Sequence, residues 1–180
     1  MISSARLTLR NYRPDEKERF AELNADPKVG EWLGGTMSRE ASDASFDTRR
    51  QEIDQHGFGL WAAALKGDDT MIGSVGLRRL PLAWDHPMGG EVEVGWRLFP
   101  SAWGAGYASE AAAACVAFGF SQLRLAQIVS FTATTNARSE AVMRRIGMTR
   151  DPARDFDHPS RAPGHPLRRH IVYVALNPEL

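Results

Sequence analysis

The sequence predicts an α+β fold: a mixed, mostly antiparallel twisted sheet flanked by helices. Three observations carry this. Strand-like runs stand near both ends of the chain, "RLTLRNY" from Arg6 and "LRRHIVYVAL" from Leu167. Three more follow one another in the middle with little but turns between them, as in an antiparallel meander. A helical stretch, a strand and a second helical stretch then lead to the last strand, which puts a strand–helix–strand crossover at the centre.

Taken in order, "RLTLRNY" alternates apolar and polar residues and reads as the first strand. "PDEKERFAELNADP" reads as a helix, with Asp15 and Glu18 at capping-box spacing and Pro27 closing it. A second, weakly amphipathic helix is expected over Ser38–His56, stopped by Gly57. "FGLWAAAL", "TMIGSVGL" and "GEVEVGWRLF" follow as strands two to four, with "GDD" a hairpin-type turn between the first pair. The alanine-rich stretch after Gly106 is a helix, "QIVSFTAT" the fifth strand, and "NARSEAVMRRIG" a helix with Asn136 as N-cap and Gly147 as its stop. A loop rich in Pro, His, Asp and Arg spans residues 151–166 before the closing strand.

At 180 residues the chain suits one compact domain, residues 1–180. Lys+Arg and Asp+Glu are both 22, so no global charge points to nucleic acid or to an acidic membrane, and any anion site must be built locally. Cys115 is the single cysteine, which excludes an intrachain disulfide. "MISSARLTLRNYRP" has no apolar run like a signal peptide, and no segment approaches a transmembrane helix. A cytoplasmic protein is expected.

"SAWGAGYASEAAAACVAFGF" holds the most informative local pattern: two glycines at the mouth of a helix. A helix N-terminus leaves N–H groups unpaired and carries partial positive charge, and glycine lets an anion approach closely. A phosphate loop needs a lysine after its glycines, and none is present. A dinucleotide fingerprint needs a third glycine, where Ser109 stands, and an acidic residue after the next strand, where Thr134, Thr135 and Asn136 stand. An anion cradle of another kind and a tight loop entering a core helix remain. In the last helix Ser139, Val142, Met143 and Ile146 form one inward stripe, headed by a hydroxyl.

"WGAGYASEA" followed by "TNARSEAVMRRIGM" resembles the GNAT superfamily of acetyl-CoA-dependent N-acetyltransferases, nearest the branch with the ribosomal-protein N-terminal acetyltransferases. The family signature [QR]-x-x-G-x-[GA] falls on Trp103-Gly104-Ala105-Gly106-Tyr107-Ala108, with Trp103 departing at the first position. The resemblance implies a GNAT-like sheet whose fourth strand, about Glu91 to Phe99, splays from the fifth in a V. It implies pantetheine along Trp96, Arg97 and Leu98, pyrophosphate on Gly104, Ala105, Gly106, Tyr107, Ala108 and Ser109 beside Trp103, and cofactor contacts from Asn136, Ser139 and Met143. Met143 stands where many members carry a tyrosine acid, and it cannot donate a proton. Trp32 matches the acceptor-side loop, and the 151–166 loop, with Asp155, Asp157 and His158, would border the acceptor cleft. A homodimer is common in the family. The acceptor is an amine, on a protein N-terminus or a small molecule; net neutrality does not favour a strongly polycationic one.

Acetyl transfer from a thioester to an amine needs a base for the ammonium and a donor for the carbonyl oxygen; the thiolate is a tolerable leaving group, so direct attack suffices. Val92, Val94, Trp96 and Leu98 share one strand face, which leaves Glu91, Glu93, Gly95 and Arg97 on the other. Glu93 is the candidate base and acceptor contact, with Glu91 the runner-up. Gly95 suggests a bulge that would aim an N–H at the thioester oxygen. Ser139 is the candidate to protonate or orient the thiolate. His158, His165 and His170 match no common zinc spacing, so no metal is expected. The alternative reading is a coenzyme A-binding sensor or assembly module without catalysis.

Overall fold

The computed structural model describes residues 1–82 and 88–180. Its sheet runs β1 (Ile2–Ser3), β2 (Leu7–Arg10), β3 (Leu60–Leu65), β4 (Met71–Arg79), β5 (Val92–Leu98), β6 (Gln127–Ala133), β9 (Arg169–Leu176) and β7 (Thr149–Arg150), with β8 (Phe156–Asp157) also on β9. Neighbours pair antiparallel except β5 and β6, which are parallel. The helices are α1 (Lys17–Ala25), α2 (Pro27–Gly30), α3 (Arg39–His56), α4 (Tyr107–Ser121) and α5 (Ala137–Arg145). The expected α+β class, the mixed sheet and the element order match; α2 and the two-residue strands β1, β7 and β8 are additions.

Local chemistry explains most boundaries. Ser38 caps α3 by accepting from the Ala41 N–H at 3.2 Å, and Gly57, at φ 74°, ends it in the left-handed conformation. The expected Asp15/Glu18 box does not form. Glu16 instead accepts from the Arg13 N–H at 2.8 Å, because Arg10 draws its carboxylate inward with bonds of 2.7 and 2.9 Å. Glu18 pairs with Arg39. Pro27 does not close α1 but opens α2 behind the Asp26 N-cap.

The two sheet faces are covered by different helices. On β4, Ser74 lies 2.6 Å from the Tyr12 hydroxyl and accepts from Arg49 of α3 at 2.6 Å. Tyr12, Phe20 and Phe46 pack at ring-centroid distances of 5.3–5.5 Å beneath it. Leu77 faces the other way, against α4, where a Cβ on Gly119 would come within 3.2 Å of Leu77 Cδ1 and 2.6 Å of Ile128 Cδ1. Ala111, Ala112 and Cys115 are fully buried there, so small side chains bring α4 close to the sheet. Burial pushes the Cys115 thiol far up, which leaves it an inert core residue.

Candidate active site

The sheet parts where β5 meets β6. One pair, Glu93↔Val129, is in register between them, so β5 beyond Glu93 has no strand partner on that side among the described residues. A cleft of about 1130 Å³ lies here, lined by Val94–Leu98 on β5 and Ser130, Phe131 and Thr132 on β6.

Backbone alternation decides what β5 offers the cleft. The Arg97 carbonyl points toward β4, where a Cβ on Gly73 would meet it at 2.3 Å. Val94, Trp96 and Leu98 therefore turn their amides toward β6. The Ser130 hydroxyl donates to the Val94 carbonyl and the Trp103 indole to the Leu98 carbonyl, each at 2.9 Å. Trp96 is left presenting an N–H and a carbonyl to the gap. Arg97, expected beside pantetheine, sits on the wrong side for it: its side chain reaches Asn24 of α1.

The mouth of α4 forms one end of the cleft. Gly104 and Gly106 take φ of 78° and 82°, which curls the chain so that successive N–H groups converge. The first bond into the helix runs from the Glu110 N–H to the Gly106 carbonyl at 3.0 Å. The N–H groups of Gly104 to Ser109 donate to no acceptor among the described residues. Arg145 donates to the Ser109 hydroxyl at 3.1 Å, and the Arg138 guanidinium lies 4.9 Å from the Trp103 ring centre. Free N–H groups flanked by two cations suit a pyrophosphate.

Glu93 stands across the gap, on the face of α1–α3. It is 8% exposed, and Arg78, its direct cross-strand partner, holds one carboxylate oxygen at 2.6 and 3.2 Å. Burial lifts the carboxyl above its ordinary range, and Arg78 pulls back against it. Glu91 does not line the cleft; it accepts from Gln127 and Arg154 at 2.6 and 3.2 Å. The expected bulge at Gly95 is absent, since β4 and β5 stay in register throughout. The glycine serves the site differently: a Cβ there would lie 3.8 Å from Glu93 Oε1, in space now open beside the carboxyl.

Asn136 is 7% exposed and caps α5, its Oδ1 accepting from the Ser139 N–H at 3.1 Å. Ser139 and Val142 line the cleft, but Met143 is fully buried in the core and does not. The inward stripe of α5 is wider than one contact, so its two edges meet different surroundings. Trp32 and His158 line the rim, where Arg161 donates to the Leu33 carbonyl at 2.6 Å and ties the two rim loops. Asp155 and Asp157 turn away instead of facing the acceptor side; Asp155 is taken by Arg150 and the Val172 N–H, Asp157 by Arg168 at 3.0 Å. No three His, Cys, Asp or Glu residues are grouped to hold a metal among the described residues, and no described helix is long and apolar enough to cross a membrane.

Among the described residues six arginines line the cleft, Arg49, Arg78, Arg97, Arg138, Arg145 and Arg161, against one carboxylate, Glu93. Of these residues only Arg97 was expected in the site from sequence, and then beside pantetheine; the other five were not assigned. Arg138 and Arg145 were visible as an i, i+7 pair on one helix face. The others meet only through tertiary structure.

A parted sheet beside a glycine-turned helix mouth is the architecture of a transferase that takes its acyl group from coenzyme A. The chain belongs to the GNAT acetyltransferases: the acetyltransferase (GNAT) domain model matches residues 6–149. It is thus an acyltransferase whose co-substrate is acetyl-CoA. A curated Aspergillus fumigatus relative, "FsC-acetyl coenzyme A-N(2)-transacetylase", is 30% identical over 82% of this chain. The match covers 64% of that relative, so the chain spans less than two thirds of its length. A solved acetyltransferase from Agrobacterium tumefaciens is 29% identical with a TM-score of 0.76, covering 97% of this chain and 92% of that one. A GNAT-family acetyltransferase from Bacillus anthracis, 24% identical, shares the fold with a TM-score of 0.79 over 98% of both chains.

Proposed function

We propose that the chain, acting as one domain over residues 1–180, moves an acetyl group from acetyl-CoA to a primary amine by direct attack in a ternary complex. One observation carries this reading: a single cleft runs from the free N–H groups of the glycine turn, past the open edge of β5, to the Glu93 carboxyl. The transacetylase name of the Aspergillus relative supports it. The acceptor amine belongs to a protein N-terminus or a small molecule.

Acetyl-CoA supplies the acyl thioester; the chain's residues supply the rest. The N–H groups of Gly104 to Ser109, with Arg138 and Arg145, hold the pyrophosphate end. The Trp96 backbone and the Asn136 amide hold the arm. Glu93 takes the proton that the ammonium must lose, directly or through a water, in the space that Gly95 leaves open. Arg78 pulls that carboxyl back toward its ionised form against the larger effect of burial. The Trp96 N–H is the donor placed for the carbonyl oxygen as it gains charge. The Ser139 hydroxyl, with no hydrogen bond among the described residues, is free to donate to the departing sulfur.

Calorimetry with acetyl-CoA, followed by a thiol-release assay over a panel of amines, tests this. Micromolar binding with amine-dependent thiol release is expected. Binding without release from any amine would leave a coenzyme A-binding module, and absence of binding would sink the reading.

A further inference from the structure

Of the six cleft arginines only Arg78 forms an ion pair among the described residues, and two of the other five, Arg49 and Arg97, lie on the Glu93 face of the sheet. Arg97 donates to the Asn24 amide oxygen, but its Nε is buried with no hydrogen-bond partner. Burial lowers its pKa to about 10, with Arg49 and then Arg78 pushing the same way and Tyr12 against. Arg49 spends one nitrogen on the Ser74 hydroxyl at 2.6 Å, and its guanidinium lies 5.1 Å from the Phe20 ring centre. The partners of both are neutral among the described residues, Ser74 for Arg49 and Asn24 for Arg97. Ser74 and Arg97 are direct cross-strand neighbours, so both side chains gather over one spot in the sheet. The third cation on this face, Arg78, is already committed to Glu93.

Half-buried cations without an anion cost stability, and a ligand anion seated between them would offset that cost. Guanidinium groups meet planar oxyanions in two-pronged geometry. We infer that the acceptor is a small amine that also carries an oxyanion, a carboxylate in the first instance, seated between Arg49 and Arg97. This rests on the acetyl-transfer reading above and narrows its acceptor. Gly95 lies two residues from Arg97 along β5, about 7 Å at ordinary strand rise. An amine in the space beside Gly95 and Glu93 therefore stands several bonds from the anion, as in an amino acid with a short carbon chain. A polyamine meets the wrong sign of charge here, because Glu93 is the only carboxylate lining the cleft among the described residues.

The test is thiol release with matched amines: 4-aminobutyrate against 4-aminobutanamide, β-alanine against its amide, O-phosphoethanolamine, spermidine, and an alanine-initiated peptide amide. Acetyl-CoA affinity is measured in parallel by calorimetry. The carboxylates are expected to exceed their amides in kcat/KM by about 10- to 100-fold, as for charged hydrogen bonds. Arg49→Met should bring that ratio toward one while acetyl-CoA affinity holds, and Arg97→Lys should lower it with less risk to folding. A lead for O-phosphoethanolamine over the carboxylates would keep the oxyanion and assign it to a phosphate ester. Equal rates for acid and amide, preference for spermidine or the peptide, or a wild-type ratio untouched in both variants would overturn the inference. Tight acetyl-CoA binding without turnover of any anionic amine would also overturn it and leave the cradle standing. Absence of acetyl-CoA binding would remove the reading beneath it.

Discussion

Replacing Glu93 by Gln tests the catalytic assignment most directly. The side chain keeps its size and its hydrogen bond from Arg78 but can no longer take a proton. Loss of a positioned general base costs about 10²- to 10⁴-fold in rate. The acceptor's own acidity sets where in that range the loss falls. An α-amine with a pKa near 8 is about one-tenth free base at pH 7, whereas a lysine-type amine near 10.4 is about 0.04% free base and depends far more on the carboxylate. The fold should barely notice. The Arg78 side chain is 51% exposed, so water replaces much of what the pair supplies and stability should change by no more than about 1 kcal/mol. The pH profile adds a sign. Burial raises the Glu93 pKa, and only the ionised form accepts a proton, so wild-type kcat/KM should climb as pH rises through that raised value. The Gln variant should lose this limb and climb only with the amine's own deprotonation. Thiol release from pH 5 to 9, with acetyl-CoA affinity by calorimetry, reads all of this. Turnover within tenfold of wild type, with the acid limb unchanged, would refute the role of Glu93.

Three further outcomes are expected. Arg78→Met removes the only cation held against Glu93 among the described residues, so the acid limb of kcat/KM should move to higher pH; a move to lower pH would contradict the pairing. Arg145→Met should weaken acetyl-CoA binding by about three- to tenfold, with the difference shrinking in high salt because this arginine is exposed; titration calorimetry at two ionic strengths checks it. Gly106→Ala forces a Cβ into φ 82°, where its nearest neighbour, Arg6 Nη2 at 3.5 Å, leaves room, so the cost is backbone strain of about 1 kcal/mol. A thermal melt should fall by about 2–4 °C.

What was legible in the sequence was local. Ser38 and Gly57 bound α3, Asn136 caps α5, and the glycine turn opens α4, because each depends on residues within a few positions of itself. The Asp15/Glu18 box failed for a tertiary reason: Arg10, on β2, recruits Glu16 instead. The two-residue strands carry too little pattern to announce themselves, and Met143 lies on a stripe whose two edges face a cleft and a core. The pairing of Arg78 with Glu93 depends on the β4–β5 register, which no pattern in the intervening residues 80–91 declares.

Net charge said least about the site, and the structure says why. Equal totals of 22 acidic and 22 basic residues leave any anion site to be built locally. Yet the acids are spent elsewhere: Glu110 on Arg6, Glu16 on Arg10, Asp157 on Arg168, Glu140 on Arg144. Each such pair cancels at its own site, and none of these side chains lines the cleft. Because screening confines surface charge to about 8–10 Å in salt, a neutral chain can hold a strongly positive cavity without a positive exterior. Arg138 and Arg145 then meet the anion of the co-substrate at the helix mouth, and Arg49 and Arg97 await one on the acceptor side. Glu93, the one carboxylate lining the cleft among the described residues, is the group that the proposed chemistry requires to be negative.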